Sequence, residues 1–419
     1  MSPRVEAAVH RTFASARGSR NFRLYLVGQL VSATGTWMHF TASSWLVLQL
    51  SSSGTAIGVN AALQFGPLLL LGPWGGVIAD RFDKRRILVA TQALFGVLAL
   101  ALFVLIAADV VTLWMVYALS LVTGVVNAFD NPTRQSFYVE MVGEEGLTNA
   151  VSLNSAAFTG ARIVGPAIAG LLISTLGIEY PFLIDGISYL AVITALTAMR
   201  PQELIPQRRA ERGRGQLMEG LRYAWSTPNL RRPLIVLAIV FTVSFQFMVL
   251  VPLLAERVFD GDAGTFGLLS AVAGVGSFAG AITMANRAPR PTFLLLGVFG
   301  AAFGAGLLLV AASPSLAAAV LVMVPLGFVT MAFMIVGNTM LQTNARPEAR
   351  GRVMALYGAV FLGSTPLGSP IVGWFAEHVG VRAGFVLTGA VALATGLAVL
   401  WARQRAAPAD PVTEPAAAA

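Results

Sequence analysis

The feature that most constrains this chain is a series of apolar runs of about twenty residues, repeated with short breaks from residue 24 to residue 402. As α-helices, such runs rise about 1.5 Å per residue and cross a hydrocarbon layer of roughly 30 Å. Lipid offers no partner to an open sheet edge, and the alternating pattern of a membrane barrel is absent, so helices are the expected solution. Twelve spans are expected, at 24–49, 55–79, 87–108, 111–129, 149–174, 180–199, 234–255, 265–285, 292–312, 316–340, 353–376 and 383–402. Composition agrees: 11% of the 419 residues are charged, against about 25% in a soluble globular chain. The expected fold class is an all-α integral membrane protein.

Basic residues orient the spans. With twelve helices, 25 of the 28 Lys and Arg fall on the side that also holds both ends of the chain. The exceptions are Arg257 and Arg382 on the other side and Arg162 inside span 5. The positive-inside rule then places both termini in the cytoplasm. The net charge of +8 is read as this topology signal rather than as a nucleic-acid surface. The first 23 residues are basic and polar with no apolar core, so span 1 is expected to act as its own insertion signal. With no cysteine in the chain, disulfides, thiolate metal sites and thiol catalysis are excluded.

The chain also repeats itself. Residues 149–177 align without a gap on 352–380, at an offset of 203, and eight of 29 positions match. Among the matches are Phe158 with Phe361, Gly160 with Gly363, Gly165 with Gly368, Gly170 with Gly373 and Gly177 with Gly380. An offset near half the chain implies two parallel six-helix halves, the layout of transporters that rock around a central site. The expected organisation is an N-terminal cytoplasmic segment (1–23), a first half (24–199), a cytoplasmic linker (200–233), a second half (234–402) and a disordered tail (403–419). Within the linker, Leu217, Leu221 and Trp225 at spacing four suggest an amphipathic helix on the membrane surface.

The loop after span 2, "GGVIADRFDKRR", concentrates charge abruptly. Gly76, Ala79, Asp80, Arg81, Lys84 and Arg85 fall on a pattern that resembles the cytoplasmic signature of the major facilitator superfamily. Two positions depart from it: Ile78 stands for Leu, and Asp83 for a Gly. The resemblance extends over essentially the whole chain and implies the major facilitator fold. It also implies that Asp80 meets the N-terminal end of span 11 near Gly351 when the cytoplasmic side is closed, where a helix end favours a carboxylate. Asp80, Arg81, Lys84 and Arg85 behind Gly76 then form a gating latch, joined by Asp130 and Arg134 at the end of span 4.

In span 5, "ARIVGPAIAG" resembles the antiporter signature of that superfamily, with Gly165, Pro166 and Gly170 on the pattern. Pro166 bends the helix and the small residues allow tight packing. The surrounding segments resemble the bacterial branch of enterobactin exporters and macrolide and drug efflux proteins. That resemblance implies efflux of amphipathic small molecules, siderophore-like or drug-like.

Ion coupling needs a titratable group inside the membrane, and embedded ionisable residues are functional candidates. His39 and Asp185 are the candidates for proton coupling. Arg162 cannot lose its proton, so it must face water, an acidic partner or an anionic substrate such as a catechol-type siderophore. The fold implies a cavity lined from spans 1, 4, 7 and 10, where Gln29, Trp37, Trp114, Phe245, Gln246, Met331, Met334 and Asn338 are the candidates. No metal-binding cluster, HExxH or ATP-binding loop is present in the sequence, and no cofactor is expected. The expectation is a monomeric, multi-pass, proton-coupled exporter in a bacterial cytoplasmic membrane, rather than an enzyme. A proton-coupled importer of a small organic solute shares the same features.

Overall fold

The computed structural model describes residues 14–205, 216–287, 291–346 and 349–405. Among these residues there are helices and connecting turns but no strands. Among the described residues, ten helices are long and apolar enough to cross a membrane. One of them, Leu113–Thr175, carries both span 4 and span 5, and Gly143 breaks it with φ 71° and ψ 176°. Span 1 lies in Arg20–Ser51, 32 residues long, which Gln29, Thr34, Thr36, His39 and Thr41 make less apolar than the others. The remaining spans occupy Gly54–Arg81, Lys84–Ala107, Tyr180–Thr197, Pro228–Arg257, Ala263–Arg287, Phe293–Ala312, Leu316–Asn344, Arg350–Val379 and Val381–Ala402. The last helix continues to Arg405; the expected disordered tail lies, from residue 406 on, outside the described residues.

Short polar residues start these helices by accepting the otherwise unpaired N–H of the first turn. Ser19, Ser53, Thr292 and Ser315 all do so. Asp83 does the same for Lys84–Ala107, its carboxylate accepting the Arg86 N–H at 3.0 Å. Its φ is −63°, so no glycine is required where this chain departs from the signature. Asp262 caps the helix of span 8: the Thr265 backbone N–H donates to its carboxylate at 3.0 Å and holds its pKa below the usual value.

Span 7 is not the single helix expected. An α-helix ends at Thr242, a 3₁₀ segment covers Ser244–Val249, and a second α-helix runs Leu250–Arg257. Pro252 has no N–H to give to the turn before it. Gln246 fills part of the gap: its Nε2 donates to the Phe241 carbonyl at 2.7 Å, and its Oε1 accepts from Ser369 Oγ at 2.7 Å. The break is thereby tied to span 11.

The 203-residue repeat reappears as matched contacts. A Cβ on Gly165 would lie 2.9 Å from the Thr34 carbonyl of span 1, and one on Gly368 1.7 Å from the Thr242 carbonyl of span 7. Gly170 faces Gly267 of span 8, and Gly373 faces Gly54 of span 2. Gly124 and Gly327, also 203 apart, approach Gln64 of span 2 and Ala273 of span 8. Equivalent glycines therefore press equivalent helices together, as a two-fold relation between halves requires.

Two of these contacts belong to seams between the halves. Along spans 2 and 11, a Cβ on Gly58 would fall 2.3 Å from the Ser369 carbonyl and one on Gly54 2.7 Å from the Gly373 carbonyl. Along spans 5 and 8, Gly267 lies against the Pro166 carbonyl and Gly274 against Ile163. Both seams are tight at the ends away from the basic loops. Towards the basic ends they part: a Cβ on Gly160 of span 5 or Gly358 of span 11 would meet nothing within 4 Å. The halves converge at one face, called here the outer face, and diverge at the basic face.

Of the linker, residues 206–215 lie outside the described residues, as do the side chains of Leu217 and Glu219. Gln216–Ser226 is helical. Ala224 is buried, while Leu221 and Trp225 point outward. The Tyr223 hydroxyl accepts the Arg346 N–H at 3.2 Å, which docks the helix just before span 11.

Gly58→Ala and Gly368→Ala are expected to destabilise the protein by about 1–3 kcal/mol through overpacking, seen as a lower unfolding midpoint in detergent. Gly160→Ala and Gly358→Ala should leave the midpoint unchanged or slightly higher. Equal midpoints for all four would show that the seams are not close-packed.

Candidate functional site

The outer face is closed by polar contacts between the halves. Oε2 of Glu377, at the end of span 11, accepts from Ser53 Oγ at 2.6 Å, Thr55 Oγ1 at 2.5 Å and Thr55 N at 3.1 Å, all at the start of span 2. Nearby, the Arg257 guanidinium donates to the Ser52 carbonyl. One layer deeper, Trp45 of span 1 stacks on Phe266 of span 8 with centroids 6.1 Å apart.

Beneath this closure a pocket is lined from both halves. Span 1 contributes Trp37, Phe40 and Thr41, and span 5 contributes Arg162 and Pro166. Phe247 and Met248 come from the broken part of span 7, with Ser270 and Ser277 from span 8 and Thr330 from span 10. Its free volume is about 20 Å³, room for about a single water. The Arg162 guanidinium carbon lies 5.2 Å from the centre of the Trp37 ring, a cation–π contact. Trp37 Nε1 and Ser270 Oγ are buried without a hydrogen-bond partner.

His39 and Asp185, separate in the sequence, meet. His39 Nδ1 stands 3.0 Å from Asp185 Oδ2, a hydrogen bond only when Nδ1 carries a proton. Asp185 is 1% exposed and its Oδ1 has no hydrogen-bond partner. Gly35 makes room for it: a Cβ there would fall 2.8 Å from Asp185 Oδ1. The His39 ring sits edge-on to Phe182, centroids 4.9 Å apart.

At the basic face, two of the signature residues, Lys84 and Arg85, engage the first half. Lys84 pairs with Glu140. Arg85 donates to the carbonyls of Leu196 and Thr197 at 2.6 and 2.8 Å. Asp80 is half-buried in the last turn of its helix and Arg81 is exposed. Gly76 is buried, but the closest backbone approach is made by Gly75, where a Cβ would lie 2.0 Å from the Ala128 carbonyl. Asp130 is 1% exposed; it pairs with Arg134 and accepts from Thr91 Oγ1 at 2.7 Å and Gln92 Nε2 at 2.8 Å. These bonds join spans 3 and 4, and none of them reaches span 11.

Of the eight residues expected to line the cavity, Trp37 is in this pocket. Trp114 is 65% exposed near the outer end of span 4, away from it. Gln246 serves the break in span 7. Phe245 packs on Phe241 and Phe361, and Asn338 accepts from Gln342 at 2.6 Å. Gln29 is buried, Met331 lies beside Gly280 and Met334 packs on the core. Spans 5 and 8 contribute where span 4 was expected. Sequence reasoning missed Glu377, Phe247, Phe266 and Ser270. Glu377 and Thr55 are 322 positions apart with no local pattern to connect them, whereas Ser270 lies one turn from Gly267 and Gly274 on a small-residue face.

Glu377→Ala removes the acceptor of the outer clamp. It should raise the rate at which a cysteine at position 270 reacts with a membrane-impermeant maleimide from the outer face by roughly tenfold, or about 1.4 kcal/mol. An unchanged rate would show that the clamp does not hold the face closed.

Comparisons with known proteins agree with this architecture. Residues 12–415 match the family described as transmembrane secretion effector. The multidrug efflux pump Tap of Mycolicibacterium fortuitum is 27% identical over 393 residues, covering 90% of this chain and 94% of that protein. The staphyloferrin A transporter of Staphylococcus aureus is 23% identical over 366 residues, covering 85% and 89%. A solved bacterial homologue of the human lysosomal transporter Spinster, in an inward-facing and occupied conformation, superposes with a TM-score of 0.72 at 15% identity, covering 91% of this chain and 96% of that one. The chain therefore belongs to the transmembrane secretion effector family of major facilitator superfamily transporters.

Proposed function

We propose that this transporter exports amphipathic small molecules from a bacterial cytoplasm in exchange for protons, as a monomer with both termini inside. The carrying observation is the interface between halves: tight glycine seams and the Glu377 clamp at one face, parted seams at the basic face, and a mixed polar and aromatic pocket between. With the basic face taken as cytoplasmic, this is the inward-open member of an alternating-access pair. The name of one relative, the multidrug efflux pump Tap, supports export as the direction.

His39 and Asp185 supply the proton step. A carboxylate buried beside an imidazole holds one proton in a site where a small movement changes which state is favoured. Span 1 carries both Trp37 of the pocket and His39 of the pair, so a cargo that displaces Trp37 also moves His39. Asp80 serves the opposite state, meeting the start of span 11 once the basic ends close.

Inverted membrane vesicles with an acid interior are expected to accumulate amphipathic drug-like or siderophore-like compounds. His39→Ala and Asp80→Asn should each reduce that accumulation at least tenfold while leaving protein levels unchanged. Absence of any gradient-dependent accumulation would contradict export, and full activity in His39→Ala would remove it from the proton path.

A further inference from the structure

The pocket beneath the outer closure presents hydrogen-bond donors and positive charge, and no carboxylate. Arg162 brings a permanent cation. Among the described residues no Asp or Glu lies within ion-pair distance of it; its partner is the Trp37 ring, 5.2 Å away. That contact offsets only part of the cost of a cation in the membrane interior. Two further donors face the same space with nothing to donate to: the Trp37 indole N–H and the Ser270 hydroxyl, whose residue is 8% exposed. The other hydroxyls there, Thr41, Ser277 and Thr330, donate their protons to carbonyls of their own helices. The in-span carboxylate Asp185 is engaged with His39. The charged residues of the second-half spans, Glu377 among them, lie in their end turns, with none within 234–255, 265–285, 292–312, 316–340, 353–376 or 383–402.

The pocket is also narrow. Free volume of about 20 Å³ holds about one water-sized group, so a head group of a few atoms enters only as the walls give, and a whole drug-sized molecule does not fit. Phe40, Phe247, Phe266 and Met248 form its apolar walls, and the seams part from here towards the basic face.

We propose that this site selects amphipathic anions: a carboxylate or comparable acidic head binds Arg162 with Trp37 Nε1 and Ser270 Oγ, while the apolar body trails towards the open basic end. Lipophilic amines are rejected, because the site offers a cation no counter-charge. The inference rests on the export reading above and narrows its cargo. Ligand anion and guanidinium neutralise one another, so binding removes the unpaired charge that hinders closure of the basic ends around the site.

The test is equilibrium binding to the purified full-length protein in detergent, with three probes of matched shape: naphthalene-1-acetate, naphthalene-1-acetamide and 1-naphthylmethylamine. At pH 7 the acetate should bind at least tenfold tighter than the acetamide, with the amine weakest. Arg162→Gln should bring the acetate down to the acetamide level without changing the acetamide. Arg162→Lys should keep part of the preference, and Ser270→Ala should weaken the acetate several-fold. Failure of the acetate to bind at millimolar concentration, equal binding of all three probes, tightest binding by the amine, or an acid preference that survives in Arg162→Gln would each overturn the proposal. The measurement uses no gradient, so it can fail while vesicle export stands, and it can succeed while export fails.

Discussion

Backbone-to-backbone contact between the two halves is the constraint on which the rest of this structure depends. In lipid no hydrophobic force drives helices together, so association relies on close packing, which small residues permit. Here Gly54, Gly58 and Gly373 join spans 2 and 11, and Gly170, Gly267 and Gly274 join spans 5 and 8. A seam without side chains interlocked across it can hinge, because tilting one helix on the other shears few contacts. The same glycines that bring the outer ends together therefore let the basic ends part. Everything functional is placed by that geometry: the Glu377 clamp above the seams and the Arg162 pocket between them.

The two halves share a fold and divide the chemistry. His39, Arg162 and Asp185 all lie in spans of the first half, with Asp130 and Arg134 at its basic end, whereas the second half contributes aromatic rings, methionines and hydroxyls. Such a division suits a rocking machine. The charges within the membrane sit in one body, while the other adds Glu377 and Arg257 at the outer clamp and presents an adaptable apolar wall. The buried network of Asp130 with Arg134, Thr91 and Gln92 stiffens the first half, since removing either charge would leave the other buried and unpaired at a cost of roughly 3–5 kcal/mol.

Much of this was legible in the sequence because it depends on local length and periodic spacing. Span length and charge asymmetry predict the helices. The 203-residue repeat predicts the paired halves, and the structure shows what the repeat is for: Gly165 with Gly368 and Gly170 with Gly373 make equivalent contacts. Asp83 was legible only as a departure from the family signature; its role as a helix cap needed the backbone geometry. The break in span 7 was hidden because a 3₁₀ turn and an α-turn use the same apolar residues, although Pro252 marks the place. The Glu377 clamp and the His39–Asp185 contact were not legible, since each joins helices whose relative rotation no local spacing encodes. The cavity lining suffered most. Which face of a helix looks inward is set by small rotations, so Trp114 lies away from the pocket and Ser270 lines it.

Rocking, as proposed, makes closure at one face and opening at the other a single rigid-body movement about the glycine seams. Because the chain has no cysteine, two introduced cysteines give one spin-labelled distance. Val110→Cys with Ser315→Cys spans the halves at the outer face, and Phe82→Cys with Arg287→Cys spans them at the basic face. Pulsed electron resonance on the protein in lipid nanodiscs, across a pH series, measures both. Rigid-body rocking predicts that the fraction of molecules with a lengthened outer distance equals, at every pH, the fraction with a shortened basic distance. Outer and basic distances that change independently, or lengthen together, would contradict it.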